Sequence, residues 1–205
     1  TIQATTVPTG QGFSNSIHLD VTTADTSLTS AVQFLLTQRF EGQDLQHLKK
    51  GTSSAETTVL SFWVRSAKSG THIVELFDTD NSRHINKAYT VSSADTWEHK
   101  EITIEGDTTG AFTSDVNTSL EVTWHLGAGS NFTSGTLQTS WGGRTDANRA
   151  VGQVNVLDST DNNFYLTGIQ WELGSQATPF EHRSFGEELL LCQRYFEKMT
   201  GAVNV

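Results

Sequence analysis

Cysteine is almost missing. Only Cys192 stands among 205 residues, so no intrachain disulfide can form and no Cys/His cluster can close a zinc site. Positive charge is also short, with 13 Lys and Arg against 23 Asp and Glu for a net charge of −10. That deficit excludes the clustered basic surface a nucleic-acid footprint requires. No apolar run approaches the ~18 residues of a membrane helix, and no charged leader precedes an apolar stretch, which argues against membrane insertion and a signal peptide. The Gly-rich phosphate loop, the nucleophile elbow and the HExxH zinc helix are missing too. The seven histidines are scattered; His72 and His84 could pair across neighbouring strands, but the favoured reading is that they face the surface. Glu75, Glu98, Glu101, Glu121 and Glu172 fall in strand-like stretches, most of them on solvated faces. The expectation is a protein that is not an enzyme.

What is abundant is hydroxyl chemistry. Thirty Thr and twenty Ser, with 17 Gly and 2 Pro, point to many short strands joined by polar turns rather than to long helices. The chain is organised around Thr57–Ser66, TTVLSFWVRS. Leu60, Phe62 and Val64 fall on one face of an extended strand, and Val59, Ser61, Trp63 and Arg65 on the other. SAKSG follows as a turn, and Thr71–Asp78 resumes the alternation as an antiparallel partner strand.

Further strands are expected at Ile17–Val21, Val32–Phe40, His84–Val91, Glu98–Ile104, Leu120–Gly127 and Phe164–Leu173, with Val32–Phe40 buried on both faces for part of its length. Between the second and third, Leu45 and Leu48 mark a short helical turn closing on Lys49-Lys50-Gly51. About eight strands without a repeat predict an all-β fold, a two-sheet antiparallel jelly-roll β-sandwich with a short C-terminal helix. Residues 1–12 form an irregular lead-in, 13–182 the sandwich and 183–205 the helical tail. The expected core is Phe62, Val64, Ile73, Leu76, Ile102, Ile104, Val122, Leu126, Leu166 and Ile169; Trp124 and Trp171 belong to core or inter-sheet packing.

Two stretches could bind something. Ala128–Gly152 is long and aperiodic, as functional loops often are. Its Trp141, with Phe132, Arg144, Asp146 and Asn148, has the chemistry of a sugar platform: an indole to stack on, and polar groups for hydroxyls. The competing reading is a loop folded onto the sandwich or an oligomer contact. Asp78-Thr79-Asp80-Asn81 offers oxygen donors of the kind calcium takes through Asp78, Asp80 and Asn81, although Asp and Asn are equally at home in a hairpin turn.

The tail differs in kind. Ser184 and Glu187 have the spacing of a capping box. Phe185, Leu189, Cys192, Phe196 and Met199 then follow at intervals of 4, 3, 4 and 3, a heptad-like stripe. Such a helix packs on its own sandwich or meets copies of itself, with Leu189, Cys192 and Phe196 as the oligomer interface.

LSFWVRS, ITIEGDTTGAF (Ile102–Phe112), HLGAGSNFTSGTLQTSW (His125–Trp141) and TGIQWELGSQATPFEHRSFGEELLLCQRYF (Thr167–Phe196) together resemble a family of tailed-phage virion proteins. These are tail-fibre, minor tail or capsid-fibre proteins with a carbohydrate-binding-module-like jelly roll. The most specific element is the closing strand with ATPFEHR and ELLLCQRYF. Two departures stand out. An upstream Asp-Arg-Trp segment is lacking, which leaves room for a missing N-terminal part, and Trp171 stands where a smaller aliphatic residue is usual.

The resemblance implies a non-enzymatic structural protein of the extracellular virion, a fibre, knob or tail module. It implies contact with other virion proteins and host cell-surface glycan, and a homo-oligomer with a trimer favoured. Because the family shares no common set of binding residues, it transfers no sugar site. The alternatives are a purely structural capsid or tail decoration protein, and a carbohydrate-binding module of a larger glycoside hydrolase.

Overall fold

The computed structural model describes residues 2–195. Ten strands are present: β1 (Ile2–Ala4), β2 (Ser16–Asp20), β3 (Gln33–Glu41), β4 (Thr58–Ser66), β5 (Gly70–Asp78), β6 (Arg83–Val91), β7 (Glu98–Ile104), β8 (Thr118–Ala128), β9 (Gly142–Gly143) and β10 (Asn163–Leu173). They form two five-stranded sheets, ordered β1-β2-β10-β4-β7 and β3-β8-β5-β6-β9, with antiparallel pairing throughout. This is the expected jelly-roll β-sandwich. The lead-in is not wholly irregular, because Ile2–Ala4 pairs with β2 at the edge of the first sheet.

The central pair corrects the sequence reading. β4 and β5 do not form a hairpin; they lie in different sheets, and Ser66–Gly70 carries the chain across the sandwich. β4 pairs with β7 and β10, and β5 with β6 and β8, so both edges of each strand are hydrogen-bonded. Their apolar faces then meet across the core rather than lying side by side. Leu60, Phe62 and Val64 oppose Val74 and Leu76 in one cluster with Ile85, Ile102, Ile104, Leu120, Val122, Trp124, Leu126 and Leu166. Phe62 sits edge-on to both Tyr89 and Trp124, at ring separations of 5.2 and 5.6 Å, the geometry aromatic quadrupoles favour.

Two expected core residues fall elsewhere. Ile169 is 38% exposed. Ile73 is fully buried but lies outside the inter-sheet cluster, because alternation along β5 puts it on the outer face of its sheet, where its N–H donates to Gln153. β3, expected to be buried on both faces, is instead an edge strand with Phe34 and Leu35 more than a third exposed.

The short helical turn is a 3₁₀ helix, Gly42–Leu48, burying Leu45 and Leu48. Lys49, not only a glycine, takes the left-handed position after it, with φ 52°. Helix α1 spans Ser130–Thr133 and α2 spans Phe185–Gln193. The capping box at Ser184 and Glu187 is complete. Among the described residues no helix is long and apolar enough to cross a membrane.

The lead-in and the segment after β10 are clasped together. Phe180 packs edge-on to Phe13 at 5.0 Å, and His182 lies 5.4 Å from the same ring. Phe13 covers Gly168, which bulges from β10 at φ +58°; a Cβ there would come within 2.5 Å of the Phe13 ring. The ATPFEHR segment therefore acts as a strap held against β10 and the lead-in.

Candidate functional site

The loop holding Trp141 is folded down rather than held out. Trp141 is half-buried against the core cluster, its indole N–H donates to the Glu105 carbonyl at 2.8 Å, and Lys50 lies 5.4 Å from its ring centre. The Arg144 guanidinium stacks on Phe77 at 4.1 Å. Asn148 accepts from the Thr136 N–H through Oδ1 and from the Gln138 N–H through its carbonyl. Phe132 is half-buried with Arg149 5.4 Å from its ring. Of the five expected platform residues only Asp146 is exposed, 3.6 Å from both Arg144 and Arg149. The structure therefore does not bring them together as a sugar platform.

What pins the loop was missed by the sequence reading. Glu75, expected on a solvated face, is 1% exposed on the outer face of its sheet. Arg149 donates to both its oxygens, at 2.8–3.1 Å, His84 Nδ1 lies 3.0 Å from Oε1, and His125 Nε2 lies 3.2 Å from Oε2. With Nδ1 donating, His84 Nε2 accepts from the Thr145 N–H at 3.4 Å. Burial pushes the Glu75 carboxyl up, but the bonds from His125, His84 and Arg149 outweigh it and hold the group far below the usual carboxylate range. His72, also expected at the surface, is fully buried. Its register partner is Tyr89, so it does not pair with His84; burial, opposed by a backbone bond to Lys68, lowers its affinity for a proton.

The calcium candidates do not converge either. Asp78 is buried and paired with Lys50 at 2.5 Å, and its oxygens also accept from the Asn81 amide. Asp80 points to the N–H and hydroxyl of Thr113 instead. Lys50 already supplies the cation, held further by Asp107 at 3.1 Å and the carbonyls of Thr109 and Gly110. Among the described residues no group of three His, Cys, Asp or Glu side chains is placed to hold a metal.

A pronounced concavity lies elsewhere. A cleft of about 1520 Å³ opens where edge strand β3 diverges from β10, and the strap and α2 form its outer wall. Phe40, Trp171, Phe180 and Tyr195 line it, and Phe40 meets Trp171 edge-on at 5.5 Å. Polar groups of Gln38, Asp44, Gln170 and Glu172 lie among these rings. Glu172 accepts from the Thr178 N–H and hydroxyl and from Gln170, and these bonds hold its carboxyl below the usual range. Trp171, expected in core or inter-sheet packing, is half-buried and does pack against the core cluster while also lining the cleft. Its one distinguishing mark was that it replaces the smaller aliphatic residue usual in the proteins the chain resembles.

The tail helix exposes its apolar side chains. Phe185, Leu189, Leu190 and Leu191 are all exposed, as is Cys192, and no residue of α2 is buried. The expected packing of the stripe onto its own sandwich is thus not what the described part of the helix does. Phe196 and Met199 lie outside the described residues.

No protein-family model and no curated protein matches this chain. Among solved structures, the enzymatically active domain of bacteriophage CBA120 tailspike protein 4 is similar at 12% identity and a TM-score of 0.44; the match covers 83% of this chain and 17% of that one. A structure described as "CBM4 structure and function" is similar at 10% identity and a TM-score of 0.35, over 77% of this chain and 70% of that one. Neither likeness is close enough to assign a ligand.

Proposed function

We propose that this chain is a non-enzymatic glycan-binding sandwich, displayed on a tailed-phage particle as a fibre, knob or tail module. The observation that supports it is the cleft between β3, β10 and the strap, where Phe40, Trp171, Phe180 and Tyr195 sit among amides and carboxylates. Pyranose rings present C–H faces that pack on aromatics, and equatorial hydroxyls that bond to such polar groups. Each stacked ring contributes on the order of 1–2 kcal/mol, which after the costs of association amounts to weak binding per site. Display in several copies multiplies weak contacts into adhesion. The virion setting rests on the sequence resemblance.

Binding of a host-polysaccharide array by wild type, Trp171→Ala and Trp141→Ala tests this reading. Trp171→Ala is expected to weaken binding by about tenfold, while Trp141→Ala retains it and lowers only thermal stability. No binding to any polysaccharide would instead favour the purely structural decoration protein.

The copies are joined, in this proposal, through α2. A nine-residue helix with no buried side chain gains little from its own propensity, since isolated helices under about 12–15 residues are marginal in water. Covering its leucines with the same helix of other copies supplies the missing burial. Leu189→Asp is then expected to convert the homo-oligomer, a trimer on this reading, to monomer by light scattering while leaving the sandwich folded. A wild-type chain that is monomeric at working concentration would refute the assembly.

A further inference from the structure

We infer that the cleft takes an uncharged oligosaccharide and excludes anionic ones. This rests on the glycan reading above and specifies its ligand.

The inference comes from what the rim offers. Its two guanidiniums are each charge-paired: Arg39, 71% exposed, bonds Glu121 through Nε alone at 2.9 Å, and Arg183 reaches Glu188 at 3.4 Å and Glu181 at 3.7 Å. Glu41, also on the rim, is matched by Arg194 from the tail. Two carboxylates are left without a cation. Glu172 is held by hydroxyl and amide donors only, and exposed Asp44 has no hydrogen-bond or ion-pair partner among the described residues. The amides carry no charge to offset them. Gln170 gives its N–H groups to Glu172 and Thr178, and Gln38 donates one N–H to the Arg39 carbonyl, leaving its second N–H and its oxygen free. The cleft is therefore rich in acceptors and carries uncompensated negative charge, in a chain already at −10.

Sugar hydroxyls donate to such acceptors. A uronate, sialate, sulfate or phosphate group has nothing to donate and meets like charge, a repulsion that grows where water is thinned by the aromatic walls. The size favours an oligomer over a single sugar, because about 1520 Å³ exceeds the roughly 300–1,000 Å³ of typical small-molecule pockets.

The test is calorimetric titration of the full chain with two matched sets. One holds neutral linear oligosaccharides (gluco-, manno- and xylo-oligomers); the other holds oligogalacturonate and oligosialic acid. At least one neutral oligomer should bind, with every anionic oligomer weaker by about tenfold or more at low salt, a gap that narrows as salt is added. Asp44→Lys should raise the affinity for oligogalacturonate about tenfold. An anionic oligomer that binds wild type more tightly than any neutral one overturns this inference and leaves the glycan reading standing. A binder of either kind that is indifferent to Trp171→Ala overturns the assignment to this cleft. No binding in either set removes the glycan reading and this inference together.

Discussion

Glu75→Ala should cost about 3–5 kcal/mol of folding stability, measured by equilibrium urea denaturation at neutral pH. Removing one partner of a buried ion pair leaves the other charge unsolvated and unpaired. Arg149 would keep its place beneath the loop, with Gln33 and, at 3.6 Å, the exposed Asp146 as its remaining partners. The loss should be local as well as global, because Arg149 belongs to the Ala128–Gly152 loop and Glu75 to β5. Limited proteolysis should therefore cut the variant within that loop first. Replacing both partners with Met should recover only part of the loss, since it removes the stranded guanidinium but leaves buried His84 and His125 without their acceptor.

The same carboxylate sets a pH dependence whose sign follows from its environment. Its proton affinity is depressed in the folded state relative to the ordinary 4.5. It therefore contributes stability that is fully present above that value and is lost progressively as pH falls below it. The stability difference between wild type and Glu75→Gln should accordingly shrink between pH 7 and pH 3. A difference that stays constant over that range would show that the carboxylate is not held ionised by its neighbours.

The second large effect is expected at Lys50. It is 7% exposed and joins the end of the 3₁₀ helix to Asp78 at the end of β5 and to Asp107 in the loop after β7. Lys50→Met keeps the side-chain volume but strands a buried Asp78 beside Asp107, at a cost of about 3 kcal/mol or more. Asp107 suffers less. Burial pushes its carboxyl up, but Arg83, the Thr109 N–H and Lys50 together hold it below the usual range, and two of those three remain. Lys50→Met combined with Asp78→Asn should therefore be more stable than Lys50→Met alone. Calcium added to wild type should leave the thermal midpoint unchanged, because an ammonium group already neutralises Asp78. A rise in that midpoint would reinstate the calcium reading of Asp78, Asp80 and Asn81.

Period-two alternation in β4, β7 and β8 determined which side chains face the core, and eight of the ten expected core residues belong to the inter-sheet cluster. The capping box is equally local, since Ser184 and Glu187 satisfy each other within one turn. Turn chemistry around Asp78–Asn81 was readable too, although its partner Lys50, 28 residues upstream of Asp78, was not.

What local pattern cannot specify is which strand lies beside which. Alternation is the same for a hairpin partner and for a strand crossing to the facing sheet, so β4 and β5 read as neighbours until their backbone partners are known. Polar residues on an outward face likewise read as solvated until something covers them. Arg149, 74 residues from Glu75, supplies that cover, and it turns a surface glutamate into a buried one while drawing Trp141 down onto the sandwich. The cleft is the extreme case: Phe40, Trp171, Phe180 and Tyr195 share no local spacing, and only the divergence of β3 from β10 and the return of the strap place them on one concave surface. Short-range periodicity thus determined the faces of the strands, because side-chain direction is a property of the backbone a few residues long. The partners of those faces, and with them the candidate site, were decided only by contacts between distant segments.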